Sequence, residues 1–208
     1  MKHLKGSIVF LAALLLLLPP GSTVAQETVE PQAQSAPRQS RYAVIVQGGQ
    51  YTMDPVLDRV LEKHPSIKGR NLNVAIQFFG SKGPDRILRP VLALDYAQAK
   101  GSGTWQGEPG DKEEFGSLDY TLISLTGTLV WHLFPTRAVN PYLGLGIGVG
   151  RLEGEASSET EKISASAPIP VLHIPVGVNV KFTDKIWAHA EAGFRMGVYY
   201  AGGVKVLW

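Results

Sequence analysis

From Arg41 to Trp208 the chain has no apolar run as long as a membrane helix, yet its polarity alternates residue by residue within segments of about ten residues. Turn-forming residues separate these segments. Lipid offers the backbone no hydrogen bonds, so strands can span a membrane only as a closed barrel. The alternation therefore predicts an all-β fold.

Eight such segments can be counted, at about 41–51, 71–80, 86–99, 118–134, 140–152, 169–182, 186–195 and 198–208. Long connections at 52–70, 100–117 and 153–168 interleave with short ones, and the tight connection at 196–197 is the exception. In membrane barrels the periplasmic turns are short and the outer loops are long. We therefore predict an eight-stranded antiparallel transmembrane β-barrel with both ends in the periplasm.

Residues 1–25 have the features of a cleaved secretory signal peptide. Lys2 and Lys5 precede the apolar run from Ile8 to Leu18, and small residues lead up to Ala25. Residues 26–40 are rich in Gln, Pro, Ser and Ala, which predicts a disordered periplasmic linker. The barrel domain then covers 41–208.

Charge and composition exclude several classes of function. Without residues 1–25 the chain carries 18 basic and 18 acidic residues, so we expect no nucleic-acid partner. The absence of Cys excludes disulfides, thiol nucleophiles and Cys-ligated metal sites. His132, His173 and His189 are expected to point inward at different heights, which does not favour a shared metal ion. We assign no catalytic residue, no metal site and no cofactor.

The alternation also assigns the two faces of the strands. In the fifth segment the aliphatic residues from Leu143 to Val149 alternate with glycines, and in the seventh His189, Glu191 and Arg195 alternate with alanines. We expect the aliphatic side chains to face lipid and the polar side chains to face inward. A soluble barrel with an internal apolar ligand would have the reverse arrangement.

An eight-stranded barrel is just wide enough for its own side chains to fill it. Buried charges persist only when they are paired, so the inward residues predict an interior polar network. Its predicted members are Arg89, Asp95, His189, Glu191, Arg195 and Lys205. Tight turns would place His189 opposite Lys205, Glu191 diagonal to Lys205, Gln77 opposite Arg89 and Asn71 near Asp95. A proton relay or ion path through these residues is the alternative.

Aromatic residues near the strand ends predict two girdles at the membrane–water boundaries. They are Tyr42, Trp131, Phe134, Tyr142, Phe182, Trp187 and Trp208 on the periplasmic side, and Tyr96, Trp105, Phe115, Tyr120 and Tyr199 or Tyr200 on the outer side.

The first outer loop carries the signals of a helix of about ten residues, with Asp54 as N-cap, Pro55 at the first helical position and Pro65 as the stop. We expect this helix to pack over the barrel rim. The second and third outer loops are acidic and are expected to be solvated and mobile.

Asn140 to Gly148, Val176 to Phe182 and the terminal Trp208 resemble the small outer-membrane barrel superfamily of Gram-negative bacteria. Its members include the transmembrane domain of outer membrane protein A and the outer membrane proteins X and W. The resemblance covers 41–208 and implies the barrel fold and an outer-membrane location. Lipid A deacylases and palmitoyltransferases share this scaffold, but the strand histidines here point away from a lipid substrate.

We expect a porin-like but side-chain-filled monomer with a structural or surface-interaction role through its outer loops. Its expected partners are outer-membrane lipid, lipopolysaccharide and the barrel-assembly machinery, the last through the C-terminal strand ending in Trp208. A narrow porin for small solutes and a lipid A-modifying enzyme are the alternative functions.

Overall fold

The structure is a computed structural model, and it describes residues 40–106, 111–158 and 162–208. Eight antiparallel strands form a closed ring in chain order, which confirms the predicted fold class. They are β1 (Tyr42–Thr52), β2 (Lys68–Phe78), β3 (Leu88–Trp105), β4 (Glu114–His132), β5 (Val139–Ser158), β6 (Lys162–Lys181), β7 (Ile186–Arg195) and β8 (Val198–Leu207). The predicted signal peptide and nearly all of the predicted linker lie outside the described residues.

The ring closes where β1 pairs with β8, from Ala43 opposite Leu207 to Thr52 opposite Val198. The backbone N–H of Arg41 donates to the carbonyl of Trp208 at 2.8 Å, so both ends of the barrel domain meet at one rim. We call this rim the terminal end and the opposite rim the loop end.

Exposure follows the predicted alternation. On the outside Ile147 is 75% exposed and Val149 is 66% exposed, whereas Lys205 and Arg89 on the inside are each 1% exposed. A polar interior within an apolar outer belt is the arrangement of a transmembrane barrel.

The predicted aromatic girdles are only partly correct. Trp131, Phe134, Phe182, Trp208, Tyr96, Phe115 and Tyr200 are exposed on the outside. Tyr120, Tyr142, Trp187 and Tyr199 are instead buried inside the barrel. Proximity to a strand end placed Tyr120, Tyr142 and Trp187 in the girdles, with Tyr199 as the alternative to Tyr200. Parity along the strand instead decides which face a side chain occupies.

Four strands continue well past the apolar belt at the loop end. β3 and β4 pair as far as Trp105 opposite Glu114, and β5 and β6 pair as far as Ser157 opposite Lys162. The prediction of long, mobile second and third outer loops is therefore wrong for the residues that the structure describes. We call the loop-end parts of β3 to β6, which include Trp105, Leu118, Leu152 and Ile169, the outer sheet.

Burial explains why the outer sheet forms. Its inward side chains Trp105, Leu118, Leu152 and Ile169 pack against a buried apolar cluster at the loop end. Full burial of an apolar side chain contributes roughly 1.5–3 kcal/mol. The partial burial of these four side chains contributes a fraction of that each and stabilises the outer sheet.

The two edges of the outer sheet differ. The β3 edge is covered, because the first outer loop forms a β-bridge between Lys63 and Gln106 and packs Pro65 close to Gly103. On the β6 edge, pairing with β7 begins only at His173, so among the described residues 162–172 pair with β5 alone.

The helix of the first outer loop, α1 (Asp54–Leu57), has four residues instead of the predicted ten. Asp54 lies inside α1 and Met53 occupies the N-cap position. The loop then folds back to Ile67, which is fully buried. No residue of α1 is fully buried, and Leu57 packs partly buried against the cluster that contains Ile67. A 3-10 helix (Gly80–Asp85) lies at the terminal end. Within the described parts of the chain, no helix has the length and apolarity needed to cross a membrane.

We predict that Ile147→Arg destabilises the barrel by about 2–4 kcal/mol, because it places a charge on the lipid face near mid-strand. Ser164→Arg is the matched control, since Ser164 is exposed on the outer sheet. The free energy of unfolding in phospholipid vesicles, measured by urea titration, checks both variants. Equal losses would mean that the lipid belt is misplaced.

Candidate functional site

Glu191 of β7 lies at the centre of the barrel interior. Its carboxylate accepts hydrogen bonds from the hydroxyls of Tyr142 at 2.6 Å and Tyr199 at 2.7 Å, and from Gln47 Nε2 at 3.0 Å. His189 Nε2 lies 3.7 Å from the same carboxylate. Three neutral donors therefore hold this buried charge without a strongly basic partner.

Asp95 of β3 and Arg195 of β7 form an ion pair across the interior, with 2.5 Å between Asp95 Oδ1 and Arg195 Nη1. Both side chains are only 3% exposed. Asp95 also accepts a hydrogen bond from Asn73, and Arg195 Nη2 lies 2.9 Å from His173 Nε2. A buried pair needs such additional hydrogen bonds to offset the loss of hydration.

Gln47 and Tyr199 connect the two carboxylates into one network. Gln47 Nε2 also donates to Asn73 at 3.3 Å, and Asn73 is bonded to Asp95. The Tyr199 hydroxyl lies 2.7 Å from His173 Nε2, next to Arg195. The residues linked in this way are Gln47, Asn73, Asp95, Tyr142, His173, His189, Glu191, Arg195 and Tyr199, and we call them the central network.

The remaining two predicted residues, Arg89 and Lys205, lie nearer the terminal end. Lys205 donates to Gln77 and lies 5.6 Å from the ring centres of Phe79 and Trp187. Arg89 donates to backbone carbonyls of the 3-10 segment and lies over the Phe79 ring at 5.1 Å. Aromatic faces and carbonyl oxygens therefore hold these cations.

The predicted pairing of Lys205 with His189 and Glu191 is wrong. Lys205 lies opposite Trp187, and His189 lies opposite Gly203. The β7–β8 turn is centred on Met196, whose φ is 56°, and this shifts the register by two residues from the predicted one.

The predicted β2–β3 register is also off by two residues. Asp95 lies opposite Asn73 instead of near Asn71, and Gln77 lies opposite Val91 instead of Arg89. The 3-10 helix makes this connection longer than the tight turn that the prediction assumed.

Sequence reasoning also missed the tyrosines as members of the central network. Tyr142 was assigned to the girdles and Tyr199 was named there as the alternative to Tyr200, although the parity of both matches that of inward residues. Inward glycines make room for them. A Cβ at Gly193 would lie 2.7 Å from the Tyr199 hydroxyl, and a Cβ at Gly177 would lie 2.5 Å from Tyr142 Cζ. The glycines therefore accommodate neighbouring side chains instead of leaving an open path.

Little space remains in the interior. The cavity between Gln47, His132 and Lys205 offers about 30 Å³ to the centre of a water molecule, enough for about two waters. Buried apolar clusters lie toward both ends of the barrel interior. The terminal-end cluster is Ala43, Phe79, Trp187 and Leu207, and the loop-end cluster includes Tyr51, Ile67, Tyr120, Leu122 and Tyr199.

Among the described residues, no group of three or more His, Asp and Glu side chains could hold a metal ion. His173 contacts Thr128 and Tyr199, and His132 contacts Gln77, so each histidine belongs to the interior packing.

On the first outer loop, Asp54 accepts hydrogen bonds from the Ile67 N–H and the Ser66 hydroxyl, both at 2.6 Å. His64 closes the same loop, with Nδ1 2.9 Å from the Pro65 carbonyl and Nε2 2.8 Å from Asp58. Burial alone would lower the pKa of His64, but these hydrogen bonds outweigh it and raise the pKa above its ordinary value.

No protein-family model and no curated protein matches the chain. Among solved structures it is similar to surface protein A of Neisseria, at 16% identity and a TM-score of 0.47 over 80% of this chain and 96% of that one. The attachment invasion locus protein of Yersinia pestis is similar at 13% identity and a TM-score of 0.47, over 80% of this chain and 99% of that one. The N-terminal β-barrel domain of OprF from Pseudomonas aeruginosa is similar at 17% identity and a TM-score of 0.43, over 82% of this chain and all of that one.

All three are small outer-membrane β-barrels, and the likeness agrees with the predicted resemblance, but every TM-score is below 0.5. The identities are all below 25%, and the likeness adds no activity, ligand or partner to this chain. Its fold rests on its own strand pairing.

We predict energetic coupling between Glu191 and Tyr142. A double-mutant cycle of Glu191→Gln with Tyr142→Phe should give about 1 kcal/mol or more, since hydrogen bonds to charged groups contribute about 1.5–3 kcal/mol. The matched cycle of Glu191→Gln with Lys205→Met should give less than about 0.5 kcal/mol. Urea unfolding in vesicles measures both. Coupling to Lys205 but not to Tyr142 would contradict the observed register.

We predict that the first outer loop opens more readily as the pH rises. Both partners of His64 are acceptors, so only the imidazolium can donate to both. Because its folded pKa is raised, the stabilisation is complete below about pH 6 and is lost as the pH rises through the folded pKa. Tryptic cleavage after the exposed Arg59 should be faster at about pH 8 than at about pH 6, after correction for trypsin activity. In His64→Gln this difference should disappear, and a wild-type loop with no pH dependence would refute the assignment.

Proposed function

We propose that this chain is a closed outer-membrane β-barrel with a structural or surface-interaction role. The observation that carries the proposal is the occupied interior. The central network crosses the barrel through Glu191, Asp95 and Arg195, and apolar clusters cover both of its ends. A barrel filled in this way holds its shape without passing solute.

The apolar outer belt supports a membrane location, and the likeness of fold to outer-membrane barrels is consistent with it. We propose that the terminal end faces the periplasm and that the protein is a monomer. The C-terminal strand pairs with β1 and ends at an exposed Trp208, which suits recognition by the barrel-assembly machinery.

In this orientation the outer sheet and the first outer loop face outside the cell. Their charges form ordered ion pairs, such as Arg151 with Glu153 at 2.9 Å and Lys162 with Glu155 at 2.5 Å. An ordered charged surface above the membrane is suited to contacts with lipopolysaccharide or a protein partner. The inward glycines would favour a narrow porin only if their space were empty. Tyr142 lies at Gly177, Tyr199 lies at Gly193 and Thr128 lies at Gly146.

We predict no steady conductance when the refolded protein is incorporated into planar bilayers, with a water-filled porin as the positive control. Lipid A incubated with the protein should keep its mass in mass spectrometry. A reproducible open state that disappears in Ala93→Phe, a substitution beside the internal cavity, would favour the porin alternative instead. A changed lipid A mass would favour the enzyme.

A further inference from the structure

Three cationic side chains lie together on the outer face of β2 and β3, just beyond the apolar belt. Lys68 is directly opposite Lys100, and Arg70 lies two residues along β2 on the same face. Like charges directly opposite each other destabilise an antiparallel pair. We call Lys68, Arg70 and Lys100 the cationic patch.

The carboxylates near this patch do not balance its charge. Lys100 forms an ion pair with Asp119, but within the described ranges neither Lys68 nor Arg70 forms one. Asp54, whose charge acts on Lys68, already accepts hydrogen bonds from Ser66 and Ile67. A surplus of positive charge therefore remains on this face.

This surplus is local. On the other side of the outer sheet, Arg151 and Lys162 each have a carboxylate partner. The cationic patch thus differs from the neighbouring surface because, among the described residues, Lys68 and Arg70 form no ion pair, whereas Arg151 and Lys162 each form one.

The groups below the patch change in a regular order toward the membrane. Arg70 has the amides of Gln98 and Gln50 on its two sides, which can donate hydrogen bonds. Leu72 and Tyr96 come next and are 45% and 40% exposed. A shallow groove lined by these residues runs down the outside of β2 and β3.

We propose that the cationic patch binds the phosphorylated headgroup of an anionic membrane lipid, with an acyl chain lying along Leu72 and Tyr96. Apolar side chains, amides and cations follow one another up the groove, in the order of acyl chain, polar linkage and phosphate in such a lipid. A phosphate between Lys68 and Lys100 would also remove their mutual repulsion. The inference rests on the proposed membrane location, and it deepens the surface-interaction role.

The test uses the full-length mature protein refolded in neutral detergent. Native mass spectrometry counts bound lipid during titration with lipid A, and separately with phosphatidylcholine, a zwitterionic lipid whose net charge is zero. We expect one lipid A to bind in preference to phosphatidylcholine. The double variant Lys68→Gln/Arg70→Gln should lose about tenfold or more in affinity, because charge-assisted contacts are removed.

Arg151→Gln is the matched control, because it removes one cation from the paired side of the outer sheet. It should keep the affinity of the wild type. The shift in gel mobility on boiling verifies that each variant is folded. No preference for lipid A, or an equal loss in Arg151→Gln, would overturn the proposal.

A third arm identifies the source of the phosphate. Leu72→Ala/Tyr96→Ala should weaken the binding of lipid A, and inorganic phosphate at the same concentration should not displace it. Displacement by inorganic phosphate, or by a soluble sulfated oligosaccharide, would overturn the lipid assignment. These outcomes are independent of conductance, so an open channel would refute the closed barrel without deciding the lipid site.

Discussion

Pairing of the first strand with the last is the interaction on which the rest of this barrel depends. It leaves no strand edge within the apolar belt, where an unpaired N–H or C=O would cost several kcal/mol. Once the ring of eight strands is closed, alternate side chains must point into a narrow space without bulk water. Every inward charge then needs a partner, and the partners in turn fill the space.

The interior satisfies its charges in three different ways. Asp95 has an arginine, Glu191 has hydroxyl and amide donors, and Lys205 has an amide oxygen and two aromatic faces. A prediction that pairs opposite charges finds only the first arrangement. The two carboxylates therefore need not be matched one to one with cations, because a hydroxyl can stabilise a carboxylate in a site that water does not reach.

The fold and the faces could be predicted from the sequence because alternation with a period of two is a strong signal. Contacts between individual residues could not, because a register shift of two residues keeps every side chain on its face. Such a shift separated Lys205 from His189 and brought Asn73 to Asp95. The outer sheet was missed because strands above the membrane need no apolar outer face. The predicted strands therefore stop at or near Leu118 and Leu152, whereas the observed strands continue to Glu114 and Ser158.

Residues 162–172 of β6 pair with β5 on one side and, within the described chain, have a free edge on the other. This free edge bears on how copies of this protein behave when crowded together. A free strand edge is a template on which a strand from another molecule can add, and long regular edges promote aggregation. Pro168 and Pro170 lie within this stretch and have no N–H to donate. The ladder of donors is thus interrupted, which disfavours edge-to-edge growth from barrel to barrel while leaving the outer sheet exposed for selective contacts.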